Sequence, residues 1–279
     1  MRKNVRFGRI EMTINTTENT LVSRYKELFD KYRFPEWAYR FYPSIPHIGN
    51  KVDECNVRCL VYGSAENLTY SRKADEEINR IHEQQWYRHR YFRKYDGTFP
   101  HAHIQPINNG SLLIVSRYIL SLLGYDKTFS NEPKRFIEEI VVGNFGKFSI
   151  DSETNEDYAD KYKYLKESIE YVLADILVTK PDIIIMPRKI YYFRGVQSKI
   201  VPLLKKGTKI IPIYQTNRLA IGGRSFKTQI DECRTTRTHN YSFETPWLSL
   251  ISDSRINSQE IHKFLIWLTC KIKDIMVEV

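Results

Sequence analysis

No apolar run in the chain approaches the ~20 residues that a membrane-spanning helix requires, and nothing resembles a signal peptide. The sequence reads as that of a cytoplasmic protein with no membrane partner. Cysteine is scarce, with four in 279 residues. Cys55 and Cys59 lack the close spacing of a zinc knuckle, and Cys233 and Cys270 stand apart from each other. They read as buried, reduced thiols, with an iron–sulfur cluster held by all four as the alternative. His101 and His103 alternate as two ligands on a strand would, but no third ligand is evident, and Pro100 and Pro106 flank the pair. No acidic cluster has metal-ligand spacing, and neither a Walker A nor a dinucleotide fingerprint occurs. These absences disfavour a metal-dependent nuclease and a nucleotide-processing enzyme, and no metal or cofactor is expected. Internal repeats and low-complexity segments are also missing.

What the chain does have is a formal charge of +10, much of it beside aromatic residues, most densely in Gln84–Tyr95, QQWYRHRYFRKY. Cations meet phosphates and rings stack on bases, so such a surface suits nucleic acid. An exposed helix with a favourable solubility charge is the plainer alternative.

The most informative stretch is Arg58–Arg72, RCLVYGSAENLTYSR. Arg58–Tyr62 has the apolar character of a buried strand; Gly63 is expected to end it in a polar loop, Gly-Ser-Ala-Glu-Asn, before a long helical pattern from Lys73 to Tyr95. In open α/β sheets, ligands sit outside the carboxyl ends of strands, which makes this loop the expected floor of a site. Ile140–Val142 predicts a second strand ending at Gly143-Asn144-Phe145-Gly146, Asp182–Met186 a third, and Lys209–Tyr214 a fourth that opens into Gln215–Ser225. Helical spacing marks Leu21–Tyr32, Leu112–Leu123 closed by Gly124, Tyr158–Ile176, a short crossover at Val196–Leu204, and a last helix striped by Ile261, Phe264, Leu265, Leu268, Ile272 and Ile275. Asn257 and Glu260 have the spacing of a capping box before it. Alternating strands and helices predict an α/β fold, a three-layer α/β/α sandwich with a central, mainly parallel four-stranded sheet. Residues 1–57 read as a helical and loop extension packed on the core, and 58–279 as the α/β/α domain, together one globular unit. Pro43 and Pro46 fix a loop after Trp37, where Tyr39 and Tyr42 are minor base-pocket candidates.

This layout resembles the uracil-DNA glycosylase superfamily. That family carries a Gly-led motif after its first strand, an Asn or similar base reader after the second, a Lys-Pro-Asp-like lead into the third and a His-Pro-Ser-type loop after the fourth. The corresponding places here read Gly63-Ser64-Ala65-Glu66-Asn67, Asn144, Lys180-Pro181-Asp182 and Gln215-Thr216-Asn217. The likeness spans roughly Arg58 to Ser225. Glu66 replaces the motif's proline, Ala65 its acid or amide, and Gln215 the catalytic-loop histidine. The resemblance implies a monofunctional DNA glycosylase that turns a base out of double-stranded DNA without an obligatory protein partner. The departures point away from ordinary uracil removal and toward relatives that excise glucosylated hydroxymethylcytosine from phage DNA as an antiviral defence. A catalytically inactive DNA-binding module and a uracil or mismatch repair glycosylase are the alternatives.

Cutting an N-glycosidic bond builds positive charge on the sugar and negative charge on the leaving base, so a carboxylate or oriented water is needed near the sugar and donors near the base. Glu66 is the carboxylate of the first loop and is expected to orient the water, with Asn67 as the alternate holder and helix-start acid or cap as the plain roles of the two. Asn144 would read the base edge, an amide offering both donor and acceptor, unless it is a simple turn residue. Gln215 would face the leaving base as a neutral donor, with Asn217 compensating. Ser64, Ala65, Tyr70 and Phe145 complete the expected base pocket; for Tyr62, Tyr70 and Phe145 a place among the core aromatics is the favoured role. Ser71, Arg72, Thr216, Asn217, Arg218, Arg224, Ser225 and Lys227 are the expected DNA contacts, with Arg218 and Leu219 at the place of the family's wedge and Gly222-Gly223 allowing close approach of phosphates.

Overall fold

A computed structural model of the chain describes residues 16–33, 43–67, 110–150, 165–214 and 258–279. Its centre is a six-stranded sheet in the order β1-β3-β2-β4-β5-β6. The strands are β1 (His47–Ile48), β2 (Cys59–Asn67), β3 (Val141–Ile150), β4 (Ile183–Pro187), β5 (Lys209–Ile213) and β6 (Val277–Glu278). The inner four, β3-β2-β4-β5, are all parallel. The two short outer strands run antiparallel to their neighbours. The expected α/β class holds, but the sheet is six-stranded and mixed rather than four-stranded. The outer strands are two residues each, too short for alternation to register in the sequence.

Side chains alternate along the inner strands and divide the core in two. Cys59, Val61, Val142, Ile183, Ile185, Ile211 and Ile213 face one side. Leu60, Tyr62, Val141, Ile184, Met186 and Ile210 face the other. Every residue of β4 is buried, because a strand covered on both faces needs apolar groups on both. Each fully buried Ile or Val contributes about 1.5–3 kcal/mol, so these strands hold much of the stability.

Helices cover both faces. On the first lie α2 (Gly110–Leu122), α3 (Pro133–Glu138) and α6 (Ser258–Ile275). On the second lie α1 (Thr16–Tyr32) and α4 (Ile169–Thr179). Leu21, Tyr25, Leu28 and Phe29 form the buried stripe of α1 at helical spacing. Gly124 takes a left-handed φ of 85° just past α2, where Tyr125 N donates to Leu120 O at 2.9 Å. Lys180 closes α4 in the same region, at φ 48°, and Pro181 stops the helix from continuing. The expected crossover at Val196–Leu204 is a π-type turn at Val196–Ile200 followed by a 3-10 turn at Val201–Leu203. The capping residue Asn257 and the helical pattern at Lys73–Tyr95 lie outside the described residues.

Two boundaries differ from the sequence expectation in a way that bears on the site. β2 does not stop at Tyr62, and β3 does not stop at Val142; both run on through the segments expected to be loops. Tyr62 pairs with Gly143, Gly63 with Asn144 and Ala65 with Gly146, and a register shift intervenes before Asn67 pairs with Ile150. The glycines that signalled turns serve close approach instead. A Cβ on Gly63 would lie 2.5 Å from Asn144 Oδ1, and one on Gly143 would lie 2.8 Å from Pro46 Cβ.

Candidate functional site

Because the four inner strands are parallel, the ends of β2, β3, β4 and β5 reach one edge of the sheet. At that edge β2 presents Ser64, Ala65, Glu66 and Asn67, and adjacent β3 presents Asn144 and Phe145. These six expected site residues therefore lie on two neighbouring strands, with Asn144 level with Gly63 and Asn67 level with Ile150. Glu66 and Asn67 are the last two residues of a paired strand, not members of a free loop. Ser64 is half-buried. Asn144 is 3 % exposed, with its amide set into the space that Gly63 leaves open.

Phe145 takes the core role favoured for it, not the place in a base pocket. It is fully buried on the α1 and α4 side, edge-on to Tyr62 with ring centroids 5.8 Å apart. Successive residues of a strand point to opposite faces, so Asn144 and Phe145 diverge within β3 and do not flank a common base. The ring belongs to the core. Tyr62 likewise is fully buried.

Beneath these strands lies a buried polar cluster that the sequence reading missed. Lys147 Nζ and Asp175 Oδ2 are 2.6 Å apart, with both side chains wholly out of solvent. Tyr25 OH donates to one oxygen of Asp175 and Tyr62 OH to the other, each at 2.8 Å. Lys147 Nζ also stands 5.8 Å from the ring centre of Tyr25 and 5.4 Å from that of Tyr62. Burial pushes the Asp175 carboxyl above its ordinary value, and the Lys147 ammonium and the tyrosine hydroxyls pull it back only in part. Burial, with the nearby Asp175 charge, raises both tyrosines, which keeps their hydroxyls as donors. The backbone of Lys147 is fixed as well, its N–H donating to Ser168 Oγ at 2.9 Å and its carbonyl accepting from Ser44 N at 2.8 Å. The cluster thus ties α1, α4, β2 and β3 together three residues past Asn144.

A second missed group stands where β4 and β5 end. The four-residue helix α5 (Arg188–Tyr191) follows β4 directly. The exposed Arg188 guanidinium lies 5.6 Å from the Tyr192 ring centre and 5.5 Å from that of Tyr214, and its Nη1 donates to Tyr214 OH at 3.0 Å. Tyr214 leans on Trp267 of α6 at 5.4 Å. The signal in the sequence is the interleaving of cations and rings in Arg188–Arg194, RKIYYFR, the same pattern as in Gln84–Tyr95.

The opposite edge of the sheet accounts for the Lys-Pro-Asp sequence. Lys180 caps α4, and Asp182 accepts from Arg58 N at 2.9 Å and from Lys205 Nζ at 2.9 Å, joining the start of β2 to that of β4. A cleft of about 440 Å³ opens there beside Cys55, Arg58, Lys180 and Lys205, away from the candidate site. Among the described cysteines Cys59 is buried, whereas Cys55 and Cys270 are half-buried, and none is bridged.

Gln215 follows Tyr214 directly, beyond the described residues. Tyr70, Ser71, Arg72, Thr216, Asn217, Arg218, Arg224, Ser225 and Lys227 also lie outside them, as do Tyr39, Tyr42, His101 and His103. Among the described residues no helix is long and apolar enough to cross a membrane, and no three His, Cys, Asp or Glu side chains group as metal ligands would. No family model, curated protein or solved structure shows significant similarity to the chain.

Proposed function

We propose that the chain is a monofunctional DNA glycosylase on a three-layer α/β/α scaffold, hydrolysing the N-glycosidic bond of a modified pyrimidine turned out of double-stranded DNA. Glucosylated hydroxymethylcytosine of phage DNA is the candidate substrate, and antiviral defence the candidate setting. The observation that carries the reading is the shared strand edge. There the Asn144 amide lies directly across from Gly63, three residues before the Glu66 carboxylate position. β5 is two strands from β2 with β4 between them, so the lead into Gln215 lies on the order of 10 Å to the side of β2.

In this mechanism Glu66 orients a water toward the sugar carbon and offsets the positive charge that develops as the bond breaks. Asn67 shares the hold on that water. Asn144 pairs with the base edge, and Gln215 donates to the departing base. A neutral donor in place of a cationic one stabilises a departing anion less, and Asn217 is the residue assigned to compensate.

A specific observation also favours a second reading, a DNA-binding module without catalysis. Gly63–Asn67 continues the β2 ladder, whereas a catalytic water-holder usually sits in a loop free to close around substrate.

The test is mass spectrometry of bases released from unmodified, uracil-containing and phage-modified DNA, with alkali-labile sites scored in parallel. Release of one base, abolished in Glu66→Ala while folding is kept, is the expected result. No release from any of these DNAs, with salt-sensitive binding retained, would establish the non-catalytic reading. Full activity in the variant would move the water-holding role to Asn67 or elsewhere.

A further inference from the structure

The formal charge of +10 is not spread along the chain. Between Asp182 and Asp231 there is no acidic residue at all, and this segment holds ten of the 43 lysines and arginines. The 33 that remain match the 33 acids found elsewhere, so residues 183–230 carry +10 by themselves while the rest of the chain, basic stretches such as Gln84–Tyr95 included, sums to zero. Its described portion builds β4, α5, the turns after it and β5. The Tyr192–Arg188–Tyr214 stack stands at the carboxyl edge of these strands.

Arg188 is exposed, and among the described residues no carboxylate pairs with it. Its planar guanidinium is held instead by two rings and one hydroxyl. Tyr192 is 61 % exposed. Arg188 lies over the Tyr192 ring and Tyr191 meets it at a steep angle with centroids 5.0 Å apart, so the ring is steadied while most of it stays in solvent. A cation fixed beside a solvent-exposed ring is the arrangement with which proteins hold unpaired nucleic acid: the ring takes a base, and the cation a neighbouring phosphate. Bases inside a duplex have both faces covered by their neighbours, so an open ring recruits a base that has left the stack.

We infer that the Tyr192–Arg188–Tyr214 stack is a docking platform for unpaired DNA, with Tyr192 stacking on a base and Arg188 contacting the phosphate beside it. The inference rests on the reading of the chain as a DNA-acting protein, but not on its being catalytic. On that reading the platform holds a nucleotide of the opened strand next to the one drawn toward Asn144.

The experiment is fluorescence anisotropy of the full chain with a labelled short oligothymidine and with an unmodified hairpin duplex, across a salt series. Tyr192→Ala should weaken single-strand binding roughly 5- to 150-fold, the span of base–aromatic stacking, and leave duplex binding close to that of the unsubstituted chain. Arg188→Ala should lower the slope of log affinity against log salt by about 0.7 on the single strand, and Arg188→Lys should restore it. Both side chains are exposed, so unchanged thermal melts will show that the variants fold. Unaltered oligothymidine binding in Tyr192→Ala and Arg188→Ala would overturn the platform. If the variants lose binding and no DNA releases a base, the platform stands and the glycosylase reading falls. If base release and binding both persist in the variants, the platform alone falls. If the unsubstituted chain binds neither DNA, both fall.

Discussion

Gly63 and Asn144 are partners in the parallel ladder of β2 and β3, and Asn144 Oδ1 fills the space where a side chain at position 63 would begin. Gly63→Ala would place a methyl group 2.5 Å from that oxygen, so the buried Asn144 side chain or the strands themselves must shift. The expected loss is about 1–3 kcal/mol, typical of overfilling a packed site. Gly63→Ala/Asn144→Ala should recover much of it. Urea denaturation of the two single variants and the double one measures the coupling. Losses that simply add would show that the strain arises somewhere other than this pair.

The Lys147–Asp175 pair makes a different demand. Lys147→Met or Asp175→Asn alone should cost about 3–5 kcal/mol, because each leaves a buried group without its counterpart. Removing both charges is still incomplete, since Tyr25 and Tyr62 would each keep a buried hydroxyl with no acceptor, at about 1–3 kcal/mol apiece. The combination Lys147→Met/Asp175→Leu with Tyr25→Phe and Tyr62→Phe should therefore be more stable than either charge-removing single variant. Chemical denaturation decides it: a combined variant weaker than both singles would mean that shape rather than polarity governs this part of the core.

Asp182 sets a pH dependence. Burial alone would raise its carboxyl, but the hydrogen bond from Arg58 N and the Lys205 ammonium outweigh that and hold it below the ordinary value. A group lowered in the folded state adds stability above its unfolded pKa of about 3.9, and that contribution disappears as pH falls through the lower folded value. Its side chain is partly exposed, so solvent screening keeps the effect small. Asp182→Asn should show a shallower fall in stability than the unsubstituted chain between about pH 5 and pH 2. Parallel curves of urea midpoint against pH would remove Asp182 as a source of the acid response.

Much of the scaffold could be read from residue order. The β-branched runs of β4 and β5 and the helical spacing of Leu21, Tyr25 and Leu28 encode their own burial, because period and side-chain shape are local properties. The glycines misled for a physical reason. Glycine marks a turn when the backbone needs a positive φ, and it marks close approach when a neighbour needs the room; sequence alone does not separate the two at Gly63 and Gly143. Lys147 and Asp175 were out of reach because their meeting depends on how α4 returns over β3, and nothing in either neighbourhood encodes it. Phe145 shows the limit of motif reasoning: the strand's alternation, which sends it away from Asn144, is decided by where the strand ends.

The shortness of β1 and β6 has a consequence for how copies of this molecule meet in solution. Each is two residues long, and each seals part of the outer flank of an isoleucine- and valine-rich ladder that would otherwise offer open amides and carbonyls to any passing chain. The two antiparallel guards cover Val141–Val142 and Lys209–Ile210, and at those rungs the ladder is closed to a further strand from another copy.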